Sequence, residues 1–317
     1  MKIEKILIKH FEWTEQEVKE KAKSIPSSYF KDEQIALDRA KFYQKEFNLD
    51  KAEFIKMLKI FPVLLKYSEE SVKLKVEFYQ QEFDLDKAEF IKMLKVLPTL
   101  LGYSEESVKI KAEFYQQEFN LTKAEFIKML KVSPTLLGLS EESVKTKAEF
   151  YQQEFNLDKV EFIEMLKVLP ALLGYSEESV KIKHQQIRDL NIPKSVIIKN
   201  PNILAAPTNT LKVRYLILRQ VVTREEVLSK NWFMTSQDKT YARLRYLQSK
   251  NTEIKITQIL QTEKNFVNVY GVESKELMKK YKLTPEAIRE MYEVLGDGEI
   301  VGFTEEEKQF IDEEYGV

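Results

Sequence analysis

The 317-residue chain contains no cysteine, only eight glycines and only two histidines. Without cysteine there is no disulfide, no thiolate nucleophile and no cysteine-type zinc site. His10 and His184 stand far apart, and no pair of carboxylates departs from the helix-capping pattern described below. Nothing therefore nominates an acid–base dyad, a metal centre or a cofactor site, and the expectation is a protein that is not an enzyme, has no cofactor and takes no small-molecule substrate. So few glycines leave little room for phosphate-cradling loops or hairpins, and long helices are expected instead. No apolar run reaches the roughly 18 residues that a membrane span needs, so no membrane partner is expected. The opening MKIEKILIKHFEWTEQEVKE carries five glutamates and reads as neither a secretory signal nor an acid-poor transit peptide.

What the chain has in abundance is itself. Residues 67–102 and 103–138 differ at five of 36 positions, and 103–138 and 139–174 at seven. Prolines mark the beat at Pro26, Pro62, Pro98, Pro134 and Pro170, each 36 residues apart, followed by Pro201 and Trp232 at intervals of 31. Aligning SVKLKVEFY (71–79) with TLKVRYLIL (210–218) and YARLRYLQS (241–249) gives about seven units, the last ones diverged.

Each unit reads as two helices. The first follows an N-cap such as Ser68 and carries Val72, Val76, Tyr79 and Phe83 on one face. The second opens with a capping box, Asp86-x-x-Glu89, which recurs at Asp50, Thr122, Asp158 and Thr223 and runs to a proline that stops the α geometry. A short apolar turn follows. A second strip on the first helix, Leu74 and Phe78, predicts that this helix is sandwiched between neighbours, as in an all-α solenoid or superhelix. The expected segments are an N-terminal capping helix over 1–25, regular repeats over 26–183, diverged basic repeats over 184–265 and a helical cap with an acidic tail over 266–317.

The pairing of two helices, a closing proline and an apolar P-x-x-L-L turn, seen in LPTLLG, LPALLG and NPNILA, resembles the mitochondrial transcription termination factor (mTERF) family over roughly residues 20–250. The resemblance implies a curved all-α superhelix whose basic concave face binds double-stranded DNA or, in some members, RNA, and so affects transcription, its termination in particular, or replication. The location expected for such a protein is the cytoplasm, associated with the nucleoid, in a bacterium, or the mitochondrial matrix for a processed chain.

The net charge of −1 hides a division. Residues 184–285 hold 18 basic and 8 acidic side chains, whereas 286–317 hold 2 basic and 11 acidic. Two basic columns run along the first helices, two residues apart and therefore about 200 degrees apart. The column Arg39, Lys75, Lys111, Lys147, Lys183, Arg214 and Arg245 is basic in every unit and is expected to face the ligand. Seven residues later stand Glu46, Glu82, Glu118 and Glu154 in the early units, but Leu190, Val221 and Thr252 in the later ones. Binding is therefore expected to centre on Arg214 and Arg245 with Lys212, Arg243 and Arg219, where arginine can clamp phosphate. A monomer on double-stranded DNA, with RNA as the alternative nucleic acid, is the leading expectation. A helical-repeat scaffold for protein partners is the rival.

Overall fold

The computed structural model describes residues 3–21, 33–207, 210–251 and 253–295. The acidic tail, the proline at 26 and Thr252 lie outside them. Among the described residues the only regular elements are helices, and they group into two compact units, Met1–Thr146 and Lys147–Val317.

The repeat has four parts, each with a local cause. The leading helix, Glu69–Phe83 in the most regular unit, starts where Ser68 accepts a hydrogen bond from the Ser71 amide. It ends at Asp84, whose φ of 46° is left-handed. The Leu85 amide then donates back to the Gln80 carbonyl at 3.1 Å, closing a Schellman turn with Leu85 buried beneath it. The same left-handed residue recurs at Asn48, Asn120, Asn156, Asn191 and Asn251. Asparagine and aspartate are the non-glycine residues that best tolerate this conformation, which is how a glycine-poor chain makes so many tight joints.

The following helix, Lys87–Val96, starts at the predicted capping box, with Asp86 and Glu89 bonding each other's amides. It stops at Leu97, and Pro98–Gly102 forms a 3-10 turn. The turn is fastened to the leading helix by Tyr79, whose buried hydroxyl donates to the Leu100 carbonyl at 3.0 Å. Tyr43, Tyr115 and Tyr151 make the equivalent bond in their repeats.

Within the first unit, neighbouring repeats are joined by aromatic and ionic contacts. Phe47 meets Phe90 and Phe83 meets Phe126 with ring centres 6.3 and 6.2 Å apart. The capping glutamate of one following helix accepts from a lysine near the end of the next, Lys95 to Glu53 at 2.6 Å and Lys131 to Glu89 at 2.8 Å.

The array starts earlier than the sequence reading has it. Ile3–Phe11 and Glu15–Lys21 are joined at Glu12, with a left-handed φ of 57°, and Thr14 and Glu17 form a capping box. Glu17 pairs with Lys59 at 2.7 Å, the same link that joins later repeats. The segment expected to be a capping helix is thus built as a repeat. Toward the other end, Gly271 supplies a left-handed joint, φ 67°, between Glu263–Tyr270 and Ser274–Lys280.

One packing expectation fails. Leu74 is 57 % exposed, and Phe78 is half-buried under the ammonium groups of Lys75 and Lys109, 5.7 and 5.6 Å from its ring centre. The second strip of the leading helix is covered by lysine stems and heads, not by a neighbouring helix.

Candidate nucleic-acid interface

The structure gives the expected ligand-facing column a different task. Arg39 donates to the Leu65 carbonyl at 2.6 Å, Lys111 to the Leu139 carbonyl, and Arg214 to the Phe233 carbonyl at 2.6 Å. Each of these carbonyls lies in or beside the 3-10 turn that closes its own repeat, so the column caps turn carbonyls that the helix leaves without partners. Lys75 lies over Phe78, and Lys147 lies over Phe150 and 3.7 Å from Glu177.

Lys183 is buried and donates to Gln186 at 3.3 Å. Its burial, with the Arg214 guanidinium adding to it, pulls its ammonium pKa down to about 8. Lys212 is buried in an ion pair with Asp189 at 2.9 Å, and Arg219 donates to the Val222 carbonyl.

The last member of the column is Arg243, not Arg245. Arg243 stands seven residues after its N-cap, Ser236, as Lys111 does after Ser104 and Lys183 after Ser176. The structural register of this unit thus differs by two residues from the match of YARLRYLQS to SVKLKVEFY. Arg243 is 0 % exposed and donates to Ser274 Oγ (2.8 Å), the Ile259 carbonyl (2.9 Å), the Gln261 carbonyl (2.6 Å) and Glu263 (2.9 Å). Its guanidinium also covers Phe266 at 4.2 Å. Lys183, Lys212, Arg214 and Arg243 are thus interior groups; a duplex cannot reach them in this structure.

The glutamates seven residues on do not screen the column either. Glu46 pairs with Lys87 at 2.7 Å, Glu82 with Lys123 at 2.8 Å and Glu154 with His184 at 2.7 Å.

Arg245 does reach solvent, and it has company. Between residues 245 and 282 the exposed cations are Arg245, Lys250, Lys255, Lys264, Lys275, Lys279, Lys280 and Lys282, whereas the exposed carboxylates are Glu253, Glu273 and Glu276. None of the eight cations makes an ion pair among the described residues. Arg245 lies over Tyr241 and bonds Gln248; Lys250 lies 5.1 Å over Tyr246, and Lys280 lies 5.0 Å over Tyr281. The Tyr281 phenol is held below its ordinary pKa by a hydrogen bond from Ser249, then by Lys280 and the field of Lys250, which brings the exposed Ser249, Lys250 and Lys280 together around the half-buried Tyr281. Sequence reasoning missed these lysines because they lie outside the repeat columns; their only signal was the basic excess of 184–285. No cluster of three or more histidine, aspartate or glutamate side chains among the described residues is placed to hold a metal, and no described helix is long and apolar enough to cross a membrane.

The repeat geometry is now joined by a direct comparison: the mTERF family model matches residues 28–161 and, overlapping, 79–242. The chain belongs to the mTERF family. It is thereby a helical-repeat protein of a nucleic-acid-binding family that is in general not enzymatic. No curated protein matches the chain. The family match ends at 242, so the exposed cations from Arg245 onward lie outside the matched residues.

Proposed function

We propose that this mTERF protein binds double-stranded DNA through the exposed cations of residues 245–282, with Arg245, Lys250 and Lys280 as principal phosphate contacts, and that its occupancy of the duplex affects transcription, termination in particular, or replication. The observation that carries the reading is the set of eight exposed, ion-pair-free cations among three exposed carboxylates. A surface cation that is already paired gains little from phosphate, whereas an unpaired one releases counterions from the duplex on contact. Such contacts position a protein on the backbone without reading bases, so the binding is expected to be tight at low salt and weakly sequence-selective.

The test is a comparison of labelled 30-base-pair DNA, the matching RNA duplex and the single strand by fluorescence anisotropy at fixed salt. DNA duplex binding at least tenfold tighter than the others supports the reading, and equal or tighter RNA binding overturns its choice of DNA. Absence of binding to all three overturns it altogether.

A further inference from the structure

The following helices of the first unit carry three lysine columns, and two of them are spent on structure. Lys51, Lys87 and Lys123 pair with Glu12, Glu46 and Glu82 at 2.7, 2.7 and 2.8 Å. Lys59, Lys95 and Lys131 pair with Glu17, Glu53 and Glu89 at 2.7, 2.6 and 2.8 Å. The third column, Lys56, Lys92 and Lys128, is exposed and has no hydrogen bond or ion pair among the described residues.

One turn further along the same helix face stands an aliphatic residue in each case, and it too is exposed: Ile60 at 47 %, Val96 at 56 % and Val132 at 65 %. Single exposed aliphatic residues are ordinary on protein surfaces. Here they recur beside a free lysine on three helices that the Glu53–Lys95 and Glu89–Lys131 bridges hold side by side, which makes a surface of three parallel lysine–aliphatic ridges.

We infer that this face docks a protein partner, specifically an acidic amphipathic helix that sets carboxylates against Lys56, Lys92 and Lys128 and apolar side chains against Ile60, Val96 and Val132. Charge complementarity selects an acidic occupant, since the free groups along the ridge are ammonium groups. The aliphatic column selects a polypeptide over a nucleic-acid backbone, because a phosphate chain offers no apolar surface whose burial would reward covering valine. In the second unit the copies of this position are Glu164, Lys199 and Ser229, and the residue one turn after Lys199, Ile203, is buried, so the ladder of paired lysine and exposed aliphatic residues does not continue there. None of these residues belongs to the cation set of residues 245–282, and the docking proposal does not rest on the DNA reading.

The experiment uses the full chain and a fluorescein-labelled 20-residue helical peptide with glutamate and leucine on one face, its lysine-for-glutamate counterpart as control, and anisotropy at near-physiological salt. The expected result is saturable binding of the acidic peptide alone. That binding weakens tenfold or more both in Lys56→Glu/Lys92→Glu/Lys128→Glu and in Val96→Ser/Val132→Ser, with helicity by circular dichroism unchanged, and persists in Arg245→Glu/Lys250→Glu. No binding of the acidic peptide, equal binding of both peptides, or loss in the lysine variant without loss in the serine variant overturns the inference.

Discussion

Replacing Arg243 by methionine separates a structural cation from a ligand-binding one. In the wild-type chain its guanidinium is fully buried and satisfies the Ile259 and Gln261 carbonyls and Ser274 Oγ while pairing with Glu263. Methionine fills part of the volume but leaves three acceptors without that donor, each worth about 1–3 kcal/mol if it stays dry. Glu263 is not stranded, because Lys239 at 2.6 Å and the Ser274 amide at 2.7 Å still bond it. Loss of the cation–π contact with Phe266 adds about 1–2 kcal/mol. With partial rewetting, the net loss expected is about 3–5 kcal/mol, most of it from the acceptors left unsatisfied. Arg243→Lys recovers only part of this, since one ammonium cannot reach four acceptors spread around a planar fork. The assay is urea unfolding with native-state hydrogen exchange across residues 237–280, where amide protection should collapse first. A variant that loses under about 1 kcal/mol, or keeps its stability while losing DNA affinity, refutes the reasoning.

Stability should depend on pH in two opposing ways. Lys183 binds its proton less readily in the folded chain, pKa about 8, than in the unfolded one near 10.5, so below pH 8 both states are protonated and the burial cost is fully present. Between 8 and 10.5 the unfolded state binds more protons, stability rises with pH, and the integrated gain is on the order of 3 kcal/mol; Lys183→Met should abolish the rise in a denaturation series. Tyr43, Tyr79, Tyr115 and Tyr151 act oppositely, because burial raises each phenol above its ordinary value of 10.0. Above about pH 10 the unfolded chain loses protons first, and stability falls. At the joints, Asn120→Gly should be near neutral, whereas Asn120→Val, forced to keep a φ of 47°, should cost about 1–2 kcal/mol in thermal unfolding. Thr122→Ala removes half of a capping box and should cost about 1 kcal/mol.

The repeat itself was legible because its signals are local. Ser68, the Asp86–Glu89 box and Pro98 each act within a few residues, and the structure uses all of them as expected. The joints at Asn48, Asp84, Asn120 and Asn156 share the local pattern F-[ND]-L-[DT], whereas Asn191 and Asn251 make the same left-handed turn in a different sequence context. The ligand-facing column was harder. Periodicity shows that Lys73 and Lys75 point apart, but not which direction another part of the repeat covers. The deciding fact belongs to tertiary structure: a 3-10 turn brings carbonyls to Arg39, Lys111 and Arg214, and the end of the α-helix Ile256–Leu260 brings them to Arg243. For the diverged unit the N-cap at Ser236 sets the register, two residues away from the apparent match of YARLRYLQS to SVKLKVEFY. Buried cations and exposed ones look alike in a charge count, which is why the basic excess of 184–285 does not separate the interior Lys212, Arg214 and Arg243 from the exposed cations that follow them.

The most direct test of the account is the salt dependence of duplex binding by the wild-type chain and by Arg245→Glu/Lys250→Glu, measured between about 50 and 200 mM salt, where a handful of phosphate contacts shifts affinity by orders of magnitude. The account predicts unchanged unfolding temperature, at least tenfold weaker binding, and a log–log slope reduced by about two, one for each lost phosphate contact. Wild-type affinity and slope in that variant would contradict the claim that the exposed cations, and not the buried column, hold the nucleic acid.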